Sequence, residues 1–213
     1  MENKRRIISV LCFIIWCYFS IKWSGTGTSQ SITNSNEVFS PIGGKDNIIS
    51  PLEEKTSNSL SSCVYSTAAK EIGVTEQGGE NRGKRVGEYL AVTGLPEGYA
   101  WCAAFVSWTL KQCGIKVPYS ARAHDMSTYN IIYKKNRKGR IPKTAKGKIL
   151  VFGVYTFSNK TYNHTGFIPD IRKAAAITTE GNTNGKGERE GDVVATLIRP
   201  LATIDVISDY AKY

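Results

Sequence analysis

One stretch, Gly98 to Gly114, restricts the fold of this chain more than any other. A Pro96-Glu97-Gly98 turn feeds an apolar segment, Tyr99-Ala100-Trp101-Cys102-Ala103-Ala104-Phe105-Val106-Ser107-Trp108. Counted from Cys102, apolar residues recur at i+3, i+4, i+8 and i+11 (Phe105, Val106, Leu110, Cys113), which is one face of a helix. Gly114 stands where a helix closes on a left-handed residue. Cys102 is thereby placed in the first helical turn, where unpaired N–H groups and the helix dipole favour negative charge. A thiolate there is stabilised, as a nucleophilic cysteine requires. A small buried hydrophobe fits the same position, so the choice rests on what else the chain supplies.

The chain of 213 residues carries a formal charge of +10. Eight of its basic residues fall between Lys134 and Lys148, with no acidic residue among them. Such a run suits an anionic polymer or a solvated loop equally well. It lacks the interleaved aromatics of a single-strand nucleic-acid platform, and no DNA- or RNA-reading motif accompanies it, so no specific nucleic-acid partner is expected. Of five cysteines, Cys12 and Cys17 lie in the N-terminal apolar run and Cys63, Cys102 and Cys113 remain for the folded part. This is neither a disulfide framework nor a metal-binding pattern, and no metal or cofactor is expected. If the domain is exported, Cys63 and Cys113 could bridge and leave Cys102 free, but only their positions in space can show whether they meet.

Residues 1–23 read as a signal peptide or membrane anchor: Lys4-Arg5-Arg6 precedes an apolar run from Ile7 to Ile21. Positive charge ahead of the run places the remainder outside the cytoplasm. Residues 24–59, rich in Ser, Thr, Asn and Gly without sustained periodicity, read as a linker. The domain then occupies residues 60–213. A first helix capped by Ser61 or Ser62 carries Val64, Ala68, Ala69 and Ile72 and ends at Gly73. A second carries Val86, Tyr89 and Leu90 and ends near Gly94. The Cys102 helix is third, and Ala121 to Tyr133 reads as a fourth. Beyond the basic run the texture turns to strands: Ile149–Val154, His164–Ile168, Ala175–Asn182, Asp192–Arg199 and a last one within Thr203–Ile207. Helices first and antiparallel strands second make an α+β domain.

His164, one of two histidines, opens a strand, and Glu180 and Asn182 lie two apart in the next. Strand geometry points both of their side chains to one face. Each feature alone has an ordinary structural reading. Together they fit one chemistry: a thiol nucleophile, a histidine that takes its proton and later protonates a leaving amine, and an acceptor that fixes the imidazole tautomer, supplied by Glu180 or Asn182. The Cys102 N–H is placed to donate to a developing oxyanion.

These residues also carry a family resemblance. The Tyr99–Trp108 block, Asn163-His164-Thr165-Gly166-Phe167-Ile168 and Thr179-Glu180-Gly181-Asn182-Thr183-Asn184 together resemble the CHAP domain, the cysteine, histidine-dependent amidohydrolase/peptidase family, close to NlpC/P60 in fold. The resemblance runs from about Cys63 to Arg199. It implies a papain-like fold, with N-terminal helices packed on a small antiparallel sheet, and cleavage of an amide bond in peptidoglycan. By position, Cys102 would be nucleophile, His164 base and acid, Glu180 the orienter of His164, and Asn182 a supporting polar group. Tyr99 and Trp101 beside Cys102 are candidates to line a substrate groove, Trp101 being equally suited to core packing. The expected setting is the cell envelope, periplasmic or extracellular, with peptidoglycan as partner, membrane contact through residues 1–23, and other envelope or secretion-system proteins as further partners. The alternative is a non-hydrolytic papain-like protein that serves binding or assembly of a secretion or conjugation apparatus.

Overall fold

The first helix shows where sequence pattern and structure part. A computed structural model describes residues 51–185 and 191–211, and in it α1 spans Pro51–Lys70. Residues 51–59, expected in the linker, are therefore helical. Pro51 suits the first helical position, and Glu53 and Glu54 favour the positive helix start. The weak apolar periodicity of this first half concealed it. Expected features before residue 51, the signal or anchor segment and most of the linker, lie outside the described residues.

Three further helices follow: α2 (Lys84–Ala91), α3 (Cys102–Gln112) and the short α4 (Ala123–Ser127). The fourth helix was expected to reach Tyr133. Instead Ile131–Lys134 forms strand β1, because its Ile-Ile-Tyr run pairs with the final strand of the sheet. The other strands are β2 (Leu150–Thr156), β3 (Thr161–Ile171), β4 (Ala175–Thr183), β5 (Val193–Pro200) and β6 (Val206–Asp209). They form one antiparallel sheet in the order β1-β6-β2-β3-β4-β5. The expected α+β order holds, with the helices ahead of all six strands.

Alternation along β2 divides the apolar side chains between two cores. Val151 joins Phe167, Tyr89, Trp101, Phe105 and Leu110 in the core beneath the helices. Leu150 and Phe152 join Ile168, Ala176, Ile204 and Ile207 in the second. In the first core Tyr89 stacks on Trp101 with ring centroids 5.6 Å apart and meets Phe105 edge-on at 5.4 Å, and Phe105 meets Phe167 of β3 at 6.1 Å. These contacts fix α3 against both α2 and the sheet. Glu71, just beyond α1, accepts hydrogen bonds from Arg85 Nε at 2.7 Å and from Tyr89 Oη at 2.6 Å. It thereby ties α2 to the end of α1. A disulfide joins Cys63 of α1 to Cys113 at the close of α3, with Cα atoms 5.9 Å apart. Ile72, expected on the first helix, lies beyond its end at Lys70 and is 47 % exposed.

Candidate active site

Cys102 is the first residue of α3 and is buried. The first backbone hydrogen bond of that helix runs from the Phe105 N–H to the Trp101 carbonyl at 2.8 Å. The N–H groups of Cys102, Ala103 and Ala104 precede it and have no helical carbonyl to meet, so the helix presents donors at the thiol. The approach of α3 to β4 is made possible by Gly181. A Cβ there would lie 2.7 Å from the Trp101 ring and 2.8 Å from the Phe105 Cβ.

His164 lies in β3 opposite Val154 of β2, and both it and Glu180 of β4 are buried. Its Nε2 and the Glu180 Oε2 are 2.7 Å apart. The other ring nitrogen, Nδ1, is buried and closes no hydrogen bond of good geometry. Cys102 nevertheless acts on the imidazole through both its thiol and its charge. Nδ1 is the nitrogen left for the thiol once Nε2 is committed to Glu180, and its hydrogen bond is not formed in this structure.

The electrostatics favour a protonated imidazole beside an ionised Glu180. Burial works against an imidazolium, but hydrogen bonding to Cys102 and Glu180 and their negative charge outweigh it and push His164 up to about 9. Burial likewise opposes the Glu180 carboxylate, yet His164 and Arg199 hold it down to about 2. Gly166 makes room for that carboxylate, since a Cβ there would stand 3.0 Å from the Glu180 Cγ and 2.8 Å from the Thr179 carbonyl oxygen.

Asn182 goes elsewhere. It adopts a left-handed backbone (φ 52°), which Asn tolerates. With its carboxamide oriented to satisfy its neighbours, its oxygen accepts from the Trp101 N–H at 3.0 Å and its nitrogen donates to the Gly191 carbonyl at 2.6 Å. It therefore braces the start of α3 rather than the imidazole. Trp101, a candidate for a substrate groove, is fully buried. It packs in the core and donates its indole N–H to Glu76 at 2.8 Å, so it lines no groove. Tyr99 is 52 % exposed and remains available to a ligand.

Sequence reasoning missed Arg199. Its Nε donates to Glu180 Oε1 at 2.9 Å and its Nη2 to Oε2 at 2.6 Å. Thr178 Oγ1 donates to Oε1 at 2.5 Å. A signal was present: a buried carboxylate requires a counter-charge, and Arg199 is the single cation in β5, the strand paired with β4. Among the described residues no group of three or more His, Cys, Asp or Glu gathers as a metal site.

With this geometry in place, the chain can be set beside known proteins. Residues 94–182 match the CHAP domain. The CHAP match takes in Cys102, His164, Glu180 and Asn182 and stops short of Arg199. Solved structures that resemble the chain include the following three. One is a mutated form of the Resuscitation Promoting Factor Interacting protein RipA, at 15% identity and TM-score 0.42, covering 82% of this chain and 71% of that one. Another is RipD from Mycobacterium tuberculosis, described as a non-catalytic NlpC/p60 domain protein adapted to peptidoglycan binding, at 13% identity and TM-score 0.38, covering 70% and 95%. A third is the P60 domain of an antigen from M. avium paratuberculosis, at 13% identity and TM-score 0.39, covering 74% and 95%. No curated protein matches the chain.

Proposed function

We propose that this protein is a cysteine-dependent peptidoglycan hydrolase that cleaves an amide bond of the stem peptide, the cross-bridge or the glycan–peptide junction. The observation that carries the reading is the buried His164–Glu180 hydrogen bond together with Cys102 at the start of α3, close enough to act on the imidazole. The Cys102 thiolate attacks the scissile carbonyl, and the oxyanion that forms takes hydrogen bonds from free N–H groups at the start of α3. The His164 imidazolium gives its proton to the departing amine, leaving a thioester. Neutral His164 then takes a proton from water, whose oxygen attacks the thioester, and the acid product leaves as the thiol is restored. Glu180 holds the imidazole in one orientation throughout. Asn182 supports the site indirectly, by fixing the helix start that bears the nucleophile, and Tyr99 offers an exposed ring beside it.

The setting follows from independent features. The Cys63–Cys113 disulfide suits an oxidising compartment, which agrees with export directed by residues 1–23. Residues Arg137, Lys138, Arg140, Lys143 and Lys146 are exposed in the connection that follows β1, an edge strand of the sheet, and they favour an anionic wall. The protein thus acts in the envelope, tethered or secreted, beside other envelope or secretion-system proteins. A purely binding role needs no ionised Glu180 behind a buried histidine, so hydrolysis is the better reading.

The test is release of amino groups from purified peptidoglycan, with mass spectrometry of the fragments to identify the bond. The wild-type protein is expected to release them, and Cys102→Ala to lose at least about 10³-fold in rate. No fragments from several peptidoglycan chemotypes, or full activity in Cys102→Ala, overturns the reading.

A further inference from the structure

The CHAP match ends at Asn182, yet the carboxylate behind His164 is held from a strand beyond it. We propose that Arg199 is a positioning residue for the reaction at Cys102: its two hydrogen bonds lock Glu180 behind His164, and its charge limits how firmly Glu180 keeps a proton on the imidazole. The inference rests on the proposed hydrolysis only for its kinetic readouts.

The geometry sets the terms. Glu180 is fully buried and the Arg199 side chain is 10% exposed. Glu180 Oε2 is shared by two cationic groups, Arg199 Nη2 at 2.6 Å and His164 Nε2 at 2.7 Å. Oε1 is taken by Arg199 Nε and Thr178 Oγ1. A bidentate arginine gives planar, directional hold that a point charge does not. Arg199 is itself seated, with its guanidinium 5.1 Å from the Phe152 ring centroid. The ionisable groups acting on His164 are Cys102 from α3 and Glu180 from β4. Those acting on Glu180 are His164 from β3 and Arg199 from β5.

Two consequences follow. A carboxylate with the imidazolium as its sole partner would form a tight buried ion pair and hold the proton needed by the leaving amine. Sharing the carboxylate with Arg199 weakens that hold, so His164 can give its proton up and recover one from water. The fork also fixes the carboxylate plane, and with it the direction in which the imidazole faces Cys102.

The chain has two histidines, His124 and His164, so isotope-labelled imidazole signals in the full protein can be assigned by comparison with His124→Gln. The experiment titrates His164 by NMR and measures the rate of Cys102 alkylation by iodoacetamide against pH in wild type, Arg199→Met and Arg199→Lys. Removing a neighbouring positive charge stabilises the imidazolium, so Arg199→Met should raise the His164 midpoint by about half a pH unit or more. The alkaline limb of alkylation, and of hydrolysis where hydrolysis is observed, should move with it. Arg199→Lys keeps the charge but loses the fork, so the midpoint should stay near wild type while kcat falls about tenfold or more with KM little changed. A purely structural arginine would lower the folded fraction without moving the titration of folded molecules. An unchanged or lowered midpoint in folded Arg199→Met overturns the proposal. So does an Arg199→Lys protein with wild-type kcat, which decides the matter if Arg199→Met does not fold. If no peptidoglycan is cleaved, the functional reading fails while NMR and alkylation still judge Arg199: an unmoved midpoint in Arg199→Met, or in its absence an Arg199→Lys protein whose maximal alkylation rate equals wild type where the lost fork should slow it, counts against it.

Discussion

Severing the Cys63–Cys113 disulfide should lower the melting temperature markedly, and the structure sets the scale. The bond joins α1 to the end of α3 across 50 residues and encloses α2 and the whole Cys102 helix. In the chain-entropy account, closing a loop of that length in the unfolded state is worth about 4 kcal/mol. For a domain of this size each kcal/mol corresponds to about 2–4 °C, so the double variant Cys63→Ser/Cys113→Ser should melt about 8–16 °C lower. Both cysteines are only half-buried, so the two serines themselves add little cost. The assay is calorimetry of wild type and double variant, with peptide mapping under non-reducing conditions to confirm the pairing and to show Cys102 free. A fall of less than about 3 °C, or a wild-type map with Cys63 unpaired, refutes the reasoning.

Gly181→Ala should drive the Trp101 and Phe105 side chains away from β4 and cost about 1–3 kcal/mol in chemical denaturation, with slower alkylation of Cys102 as the helix start shifts. An unchanged midpoint would show that α3 and β4 are not packed this closely. Acid should also destabilise the fold through Glu180. Its folded carboxyl lies well below the usual range, so the stability it contributes is complete above pH ~4.5 and is lost as pH falls through about 2. Glu71, lowered by Arg85 and Tyr89 against the cost of its burial, acts in the same direction. Urea unfolding between pH 5 and pH 2.5 should therefore show a continuous loss of stability, and a flat profile would contradict both assignments.

Much of the site is legible in the chain because its information is local. Helical spacing after Cys102 and the closing Gly114 define α3, and its start is where a thiolate is favoured, whatever packs around it. The strands bearing His164 and Glu180 follow from short apolar runs between turns, and the two-residue period explains why one carboxylate points at the imidazole. The same period did not separate Glu180 from Asn182. A left-handed backbone at Asn182 breaks strand alternation and sends that side chain to the start of α3 instead.

What sequence left open depends on which distant segments meet. Strand pairing between β4 and β5 brings Arg199 onto Glu180. The packing of α1 against α3 decides that Cys63 and Cys113 bridge. Tyr89 and Glu76, far from Trp101 in the chain, bury a ring that local context could equally have left in a groove. Pairing with β6 makes a strand of Ile131–Lys134, whose own pattern extends a helix. By itself the amino-acid sequence determined where the groups of the candidate site fall: a thiol at a helix start, a histidine and a carboxylate on neighbouring strands, each set by spacing along the chain. Tertiary structure alone decided the counter-charge, the cross-link and the buried indole, because burial and pairing free energies arise only where remote surfaces come together.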